Sequence, residues 1–70
     1  AADSCVLFTA LDAFVRGYEV WAPRDCVASQ TRERTRSALM QMRRAAKVWT
    51  GPSTTSLAEA RAHCARLHAA

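Results

Sequence analysis

Two short apolar runs, each holding a tryptophan and each closed off by a proline, constrain this chain more than anything else in it. Residues 18–23 read Tyr-Glu-Val-Trp-Ala-Pro, and residues 47–50 read Lys-Val-Trp-Thr with Gly51-Pro52 following. Aromatic and β-branched side chains favour extended backbone, and proline, lacking an N–H, ends it. Each run therefore reads as a short strand. Between them lie a loop, 24–30, and a segment, 31–46, in which Thr35, Ala38, Leu39, Met42 and Ala46 recur at helical spacing. Two strands joined through a helix pair in parallel, by a right-handed crossover.

Helices are expected on either side of this unit. Over about 3–16, Leu7, Leu11, Phe14 and Val15 fall at i, i+4, i+7 and i+8 on one face. Val6, Ala10 and Ala13 form a second, smaller stripe, so this helix is expected to be covered over much of its circumference. Asp3 or Ser4 suits its N-cap, and Gly17 stands where a left-handed C-cap wants glycine. Ser56-Leu57-Ala58-Glu59 is a capping box opening a last helix, with Leu57, Ala60, Cys64 and Leu67 on one stripe. The order is helix–strand–helix–strand–helix. Two strands by themselves leave edges and faces open. The expected fold is thus α/β: the C-terminal part of a doubly wound parallel-sheet domain (Rossmann-like, three-layer), with residues 1–70 a fragment of a single domain.

Size supports that reading. A chain of 70 residues buries only about 60% of its unfolded surface, too little for a deep cleft walled on every side. Half of the residues are hydrophobic and 23% charged, which excludes a disordered chain. No apolar run approaches the roughly 20 residues of a membrane-spanning helix. No basic-then-apolar opening marks a signal peptide. The chain opens on Ala1 instead of Met, so it reads as processed or as a piece of something longer.

The net charge of +4 is uneven. Between Gln30 and Lys47, Arg32, Arg34, Arg36, Arg43, Arg44 and Lys47 stand against Glu33, a local +5. A basic helix can track phosphates. A solvated helix face is the plainer reading, and nucleic acid is not an expected partner, since no aromatic residue lies on the basic stretch for stacking. The three cysteines, Cys5, Cys26 and Cys64, are odd in number and spaced by 21 and 38 residues, matching no zinc pattern. They read as free thiols in a reducing cytoplasm. His63, Cys64 and His68 invite a metal, but the two histidines are five apart and do not share a helix face. No metal or cofactor is expected.

Cys5 lies at the expected start of the first helix, where unpaired N–H groups and the helix dipole favour a thiolate and offer donors to an oxyanion. The residues around it are specific. Asp3-Ser4-Cys5-Val6, Thr9-Ala10, Asp12-Ala13, Gly17-Tyr18-Glu19-Val20, Asp25 and Ala28-Ser29, in that order, closely resemble the C-terminal part of the isochorismatase-like cysteine hydrolase superfamily, which includes nicotinamidases and related amide hydrolases. The likeness covers roughly residues 1–50.

The resemblance implies that Cys5 is a nucleophile cleaving a C–N amide or ureido bond of a small molecule through a thioester. The backbone N–H groups of Cys5 and, by position, Ala1 would hold the oxyanion. Isochorismatases proper generally lack the cysteine, which favours an amide substrate. The parent protein would be a hydrolase, able to assemble as a homo-oligomer and with no membrane partner. Two departures stand out. The family usually has Thr where this chain has Ala2. The family's catalytic Asp and Lys, and the metal-binding residues of its nicotinamidase members, lie upstream of the cysteine and match nothing here; Asp3, Asp12, Asp25 and Lys47 are not substitutes. The isolated chain is therefore expected to be inactive. The alternatives are a non-catalytic remnant and a small basic binding module.

Overall fold

A computed structural model describes residues 2–69. A five-residue π-helical turn, Ala2–Val6, runs directly into α1, Leu7–Val15; α2 is Arg32–Ala46 and α3 is Leu57–Ala69. Among the described residues there is no strand. The expected α/β parallel sheet, and with it the doubly wound architecture, is overturned.

The two tryptophan runs do lie side by side, but they share a single parallel bridge, Trp21 to Trp49. Ala22 N–H donates to Trp49 O at 3.0 Å, Trp49 N–H to Val20 O at 3.0 Å and Arg24 N–H to Thr50 O at 3.3 Å. The pairing stops there for local reasons. Pro23 and Pro52 have no N–H to extend it. Lys47, at φ +52°, is left-handed and keeps the second run from starting earlier. Parallel pairing is weak per residue, and two strands do not sustain a sheet alone.

The helices form where the apolar spacing places them. In α2, Ala38, Leu39, Met42 and Ala46 are buried, and Met42 and Ala46 are fully enclosed. Thr31 caps this helix, its hydroxyl accepting the Arg34 N–H at 3.1 Å. Ser56 Oγ accepts the Glu59 N–H at 3.2 Å, as the capping-box spacing requires. Gly17, at φ +89°, ends α1. Tyr18 N–H bonds Ala13 O at 2.9 Å and Gly17 N–H bonds Phe14 O at 3.0 Å. These are the paired bonds of a Schellman motif.

The start of the first helix departs from expectation. Neither Asp3 nor Ser4 caps it, because the backbone is already helical from Ala2, and Ala2 N–H is taken by Ala28 O at 2.8 Å. The stripe on α1 is also narrower than expected. Leu7 is buried and Leu11 and Phe14 partly so, but Val15 is 82% exposed. A helix packed against one partner, α2, covers about one face, and Val15 lies at its rim, just before the chain reverses.

The core joins Leu7 and Ala10 to Ala22, Leu39, Met42 and Val48. Gly51 closes the second run under an indole: a Cβ there would stand 2.1 Å from Trp49. Trp21 Nε1–H reaches over it to Gly51 O at 3.0 Å.

Candidate active site

Cys5 sits in the π-helical turn ahead of α1, exposed to solvent. In an i→i+5 ladder the opening N–H groups have no partner within the helix; that of Ala2 bonds Ala28 O instead. π-Helical turns of this kind recur at functional sites. The hydroxyl of Thr9, one turn on, donates to Cys5 O at 2.7 Å and ties the turn to α1.

Cys5 borders a cleft of about 390 Å³. Thr9 and Ala13 share its wall with Cys5, at i+4 and i+8 on one helix face, and Val6 and Ala10 lie beside them. These include the second stripe of the first helix, expected to be covered by packing. In the structure Ala10 is buried in the core and Val6 partly so, and the same stripe also forms one wall of the cleft. The opposing wall is Val20, Trp21, Pro23 and Val27. Among the described residues, Cys5 is the one ionisable group on the lining. An apolar cleft around a single nucleophile holds a small uncharged group well, but it contains no base to take a proton.

The acidic residues and the lysine lie away from it. Asp3 is exposed on the π-helical turn. Asp12 pairs with Arg16 at 3.1 Å on the outer face of α1. Lys47 ends α2. Asp25 is a clamp between two loops: its carboxylate accepts the Ser53 hydroxyl and, at 2.8 Å, the Ser53 N–H. Those two bonds, hydroxyl first, hold the Asp25 carboxyl below its ordinary range. Ala1, expected to lend a second N–H to an oxyanion, lies outside the described residues.

Cys26 is exposed and does not border this cleft, whereas Cys64 and the histidines pack against neighbours. Cys64 is buried, its thiol donating to Val20 O at 3.7 Å. Burial pushes that thiol's pKa up, and the Glu19 carboxylate adds to the shift. His63 stacks on Trp49 with ring centres 4.4 Å apart and planes within 6°, and Arg66 donates to its Nδ1 at 2.7 Å. His68 lies against Phe14, 6.0 Å between ring centres. Among the described residues no group of three or more His, Cys, Asp and Glu side chains is placed to hold a metal. None of the described helices is long and apolar enough to cross a membrane.

A second cleft, of about 600 Å³, escaped the sequence reading. It lies between the 24–32 segment and α2 and is bordered by Arg24, Arg32, Arg36 and Arg43. Its signal was present in the i, i+4, i+11 spacing of the three α2 arginines, but the run of positive charge around them hid the face they share.

Comparison with known proteins bears on the first cleft. Residues 1–53, which contain Cys5 and all of its walls, match the isochorismatase domain family. A stretch of 42 residues, 60% of the chain, is 48% identical to the uncharacterized isochorismatase family protein YaaI of Bacillus subtilis (strain 168). That stretch spans 23% of the relative's length. No solved structure matches the chain.

Proposed function

Since the chain belongs to the isochorismatase family, a family of hydrolases, we propose that it is the nucleophile-bearing part of a cysteine hydrolase that opens a C–N amide or ureido bond in a small molecule. One observation carries the reading: Cys5 is exposed in the first helical turn and borders an apolar cleft with no other ionisable group among the described residues.

The chemistry follows from the thiol. The Cys5 thiolate adds to the substrate carbonyl, and the charge moves to oxygen. The backbone N–H of Cys5 holds that oxyanion, with the N–H of Ala1 alongside it by position in the family. The C–N bond breaks, and the nitrogen takes a proton and leaves as ammonia or an amine. The acyl group stays on sulfur as a thioester, which water hydrolyses to the acid and free thiol. Trp21, Pro23 and Val27 exclude bulk water from the acyl group and favour a small, flat substrate.

Both proton transfers need a base and an acid, and this cleft supplies neither. The family's Asp and Lys would come from a longer chain, of which these residues form the C-terminal part. The 70 residues alone are therefore inactive. Free cysteines fit a reducing compartment such as the cytoplasm.

Two experiments test this. In the longer protein, Cys5→Ala should lower ammonia release from small amides by roughly 10³-fold or more; activity surviving that change refutes the role of Cys5. In the 70-residue chain, a small activated ester should acylate Cys5 ahead of Cys26, read by mass spectrometry. Equal acylation of the two exposed thiols would mean that the cleft gives Cys5 no advantage.

A further inference from the structure

The arginine cleft is independent of Cys5. No residue borders both cavities, although neighbours on one loop, Pro23 with Arg24 and Val27 with Ala28, wall one cavity each. Four guanidinium groups border it, from Arg24, Arg32, Arg36 and Arg43, and among the described residues no carboxylate does. The one ion pair among the described residues is Arg16 with Asp12, elsewhere on the surface. Glu33, in the first turn of α2, does not border the cleft.

Four like charges around one concavity repel, and the repulsion is relieved by an anion or by dispersal into solvent. Two features of the cleft oppose dispersal. Arg24 Nη1–H donates to Thr50 O at 3.3 Å, and Arg43 Nη1–H donates to the Thr50 hydroxyl at 3.1 Å. Thr50 is buried, so it pins two of the four guanidiniums while using one N–H of each, and the other guanidinium donors stay available to a ligand. Arg32, Arg36 and Arg43, at i, i+4 and i+11, are held on one face of a 15-residue helix whose positive end lies at the same cleft. Leu39 and Ala28 supply an apolar floor among them.

We propose that this cleft binds a small organic phosphate, with the phosphate group held by arginine forks and its organic part resting on Leu39 and Ala28. Phosphate fits the donors better than a carboxylate does, because a dianion with several acceptor oxygens can engage more than one planar fork. A compact ligand fits better than a nucleic-acid backbone. The other basic side chains of α2 do not extend the cleft: Arg34 is bonded to Gln30 Oε1 at 2.7 Å, and Arg44 borders a groove against α1.

Calorimetric titration of the full chain at low salt with phenyl phosphate, inorganic phosphate and duplex DNA tests the proposal. Phenyl phosphate should bind saturably, inorganic phosphate should bind more weakly and compete with it, and DNA should not bind more tightly than either. Arg32→Gln and Arg36→Gln should each weaken phenyl phosphate by about tenfold, and Arg44→Gln should leave it unchanged. Far-ultraviolet circular dichroism confirms that each variant is folded; if Arg36→Gln is not, Arg36→Lys keeps the charge without the fork and must still weaken binding. The proposal is overturned by absence of saturable binding, by an equal loss in Arg44→Gln, or by DNA binding that phenyl phosphate does not displace.

Discussion

Cys5 and Cys64 show how strongly position controls a thiol. Cys5 is exposed beside a cleft, whereas Cys64 is enclosed against Val20, with its ionisation opposed by burial and by Glu19. Iodoacetamide at mildly alkaline pH should therefore modify Cys5 and Cys26 first, and Cys64 only when the chain is unfolded, as read by peptide mass mapping. Alkylation of native Cys64 at the rate of Cys26 would contradict its enclosure. Asp25 makes a second prediction at this scale. Its carboxylate form accepts two bonds from Ser53, so its folded pKa lies below the 3.8 of the unpaired group. A depressed carboxylate pKa contributes stability above the unfolded value, and that contribution is lost as pH falls through the folded value. Asp25→Asn should lower the melting temperature at neutral pH, and the difference from the unchanged chain should close as acid protonates the Asp25 carboxyl in the folded state. A gap that persists unchanged in acid would mean that the clamp does not depend on charge.

At the scale of single elements, the caps and stripes carry most of the local specification. Thr31 takes extended angles and accepts the Arg34 N–H, which satisfies one of the donors that open α2. Thr31→Ala should cost about 1 kcal/mol, measured as a shift in the urea midpoint, whereas Thr31→Asn should be nearly neutral. The cost matters here because α2 carries both the central core residues and the arginine face. α1 divides its circumference in a similar way. Leu7 and Phe14 turn to the core, Cys5, Thr9 and Ala13 border the cleft, and Ala10 lies between and contributes to both. Both faces were visible as apolar periodicity. Which of them was packed and which was a wall depended on the partner, α2, and periodicity does not contain that information. The tryptophan runs are the opposite case. Their composition favours extended backbone, but an extended segment has no hydrogen bonds of its own and becomes a strand only beside others.

The whole molecule measures 31 × 27 × 16 Å, and a helix with its side chains is about 10–12 Å across. Packed helix axes lie about 8–10 Å apart, so the short dimension of the Cα trace holds two layers and no more, and the core is correspondingly thin. Met42 and Val48 are the largest fully enclosed side chains, while Phe8, Val15, Tyr18 and Leu57 are all more than 60% exposed. A chain of this size has only about 3–5 kcal/mol of stability to lose, and truncating a fully buried methionine costs about 2–5 kcal/mol. Met42→Ala should therefore abolish cooperative thermal unfolding, whereas Met40→Ala, at a site 41% exposed, should leave it nearly intact. Equal effects of the two changes would show that the core is not centred on α2.

The sequence by itself determined what depends on near neighbours: three helices with their apolar stripes, the caps at Thr31 and Ser56, the glycine turn at Gly17, and the residues around Cys5 that mark the family. Each rests on contacts within a few positions along the chain, so spacing suffices to read it. The tertiary structure alone decided the rest. It reduced two strand-like runs to one bridge, left Val15 outside the core, made the second stripe of α1 a wall of the Cys5 cleft as well as a packed face, and gathered Arg24 from a loop with three arginines of α2. These outcomes depend on which distant segments meet, and pairing across 20 or 30 residues is set by the geometry of the assembled core and not by local preference.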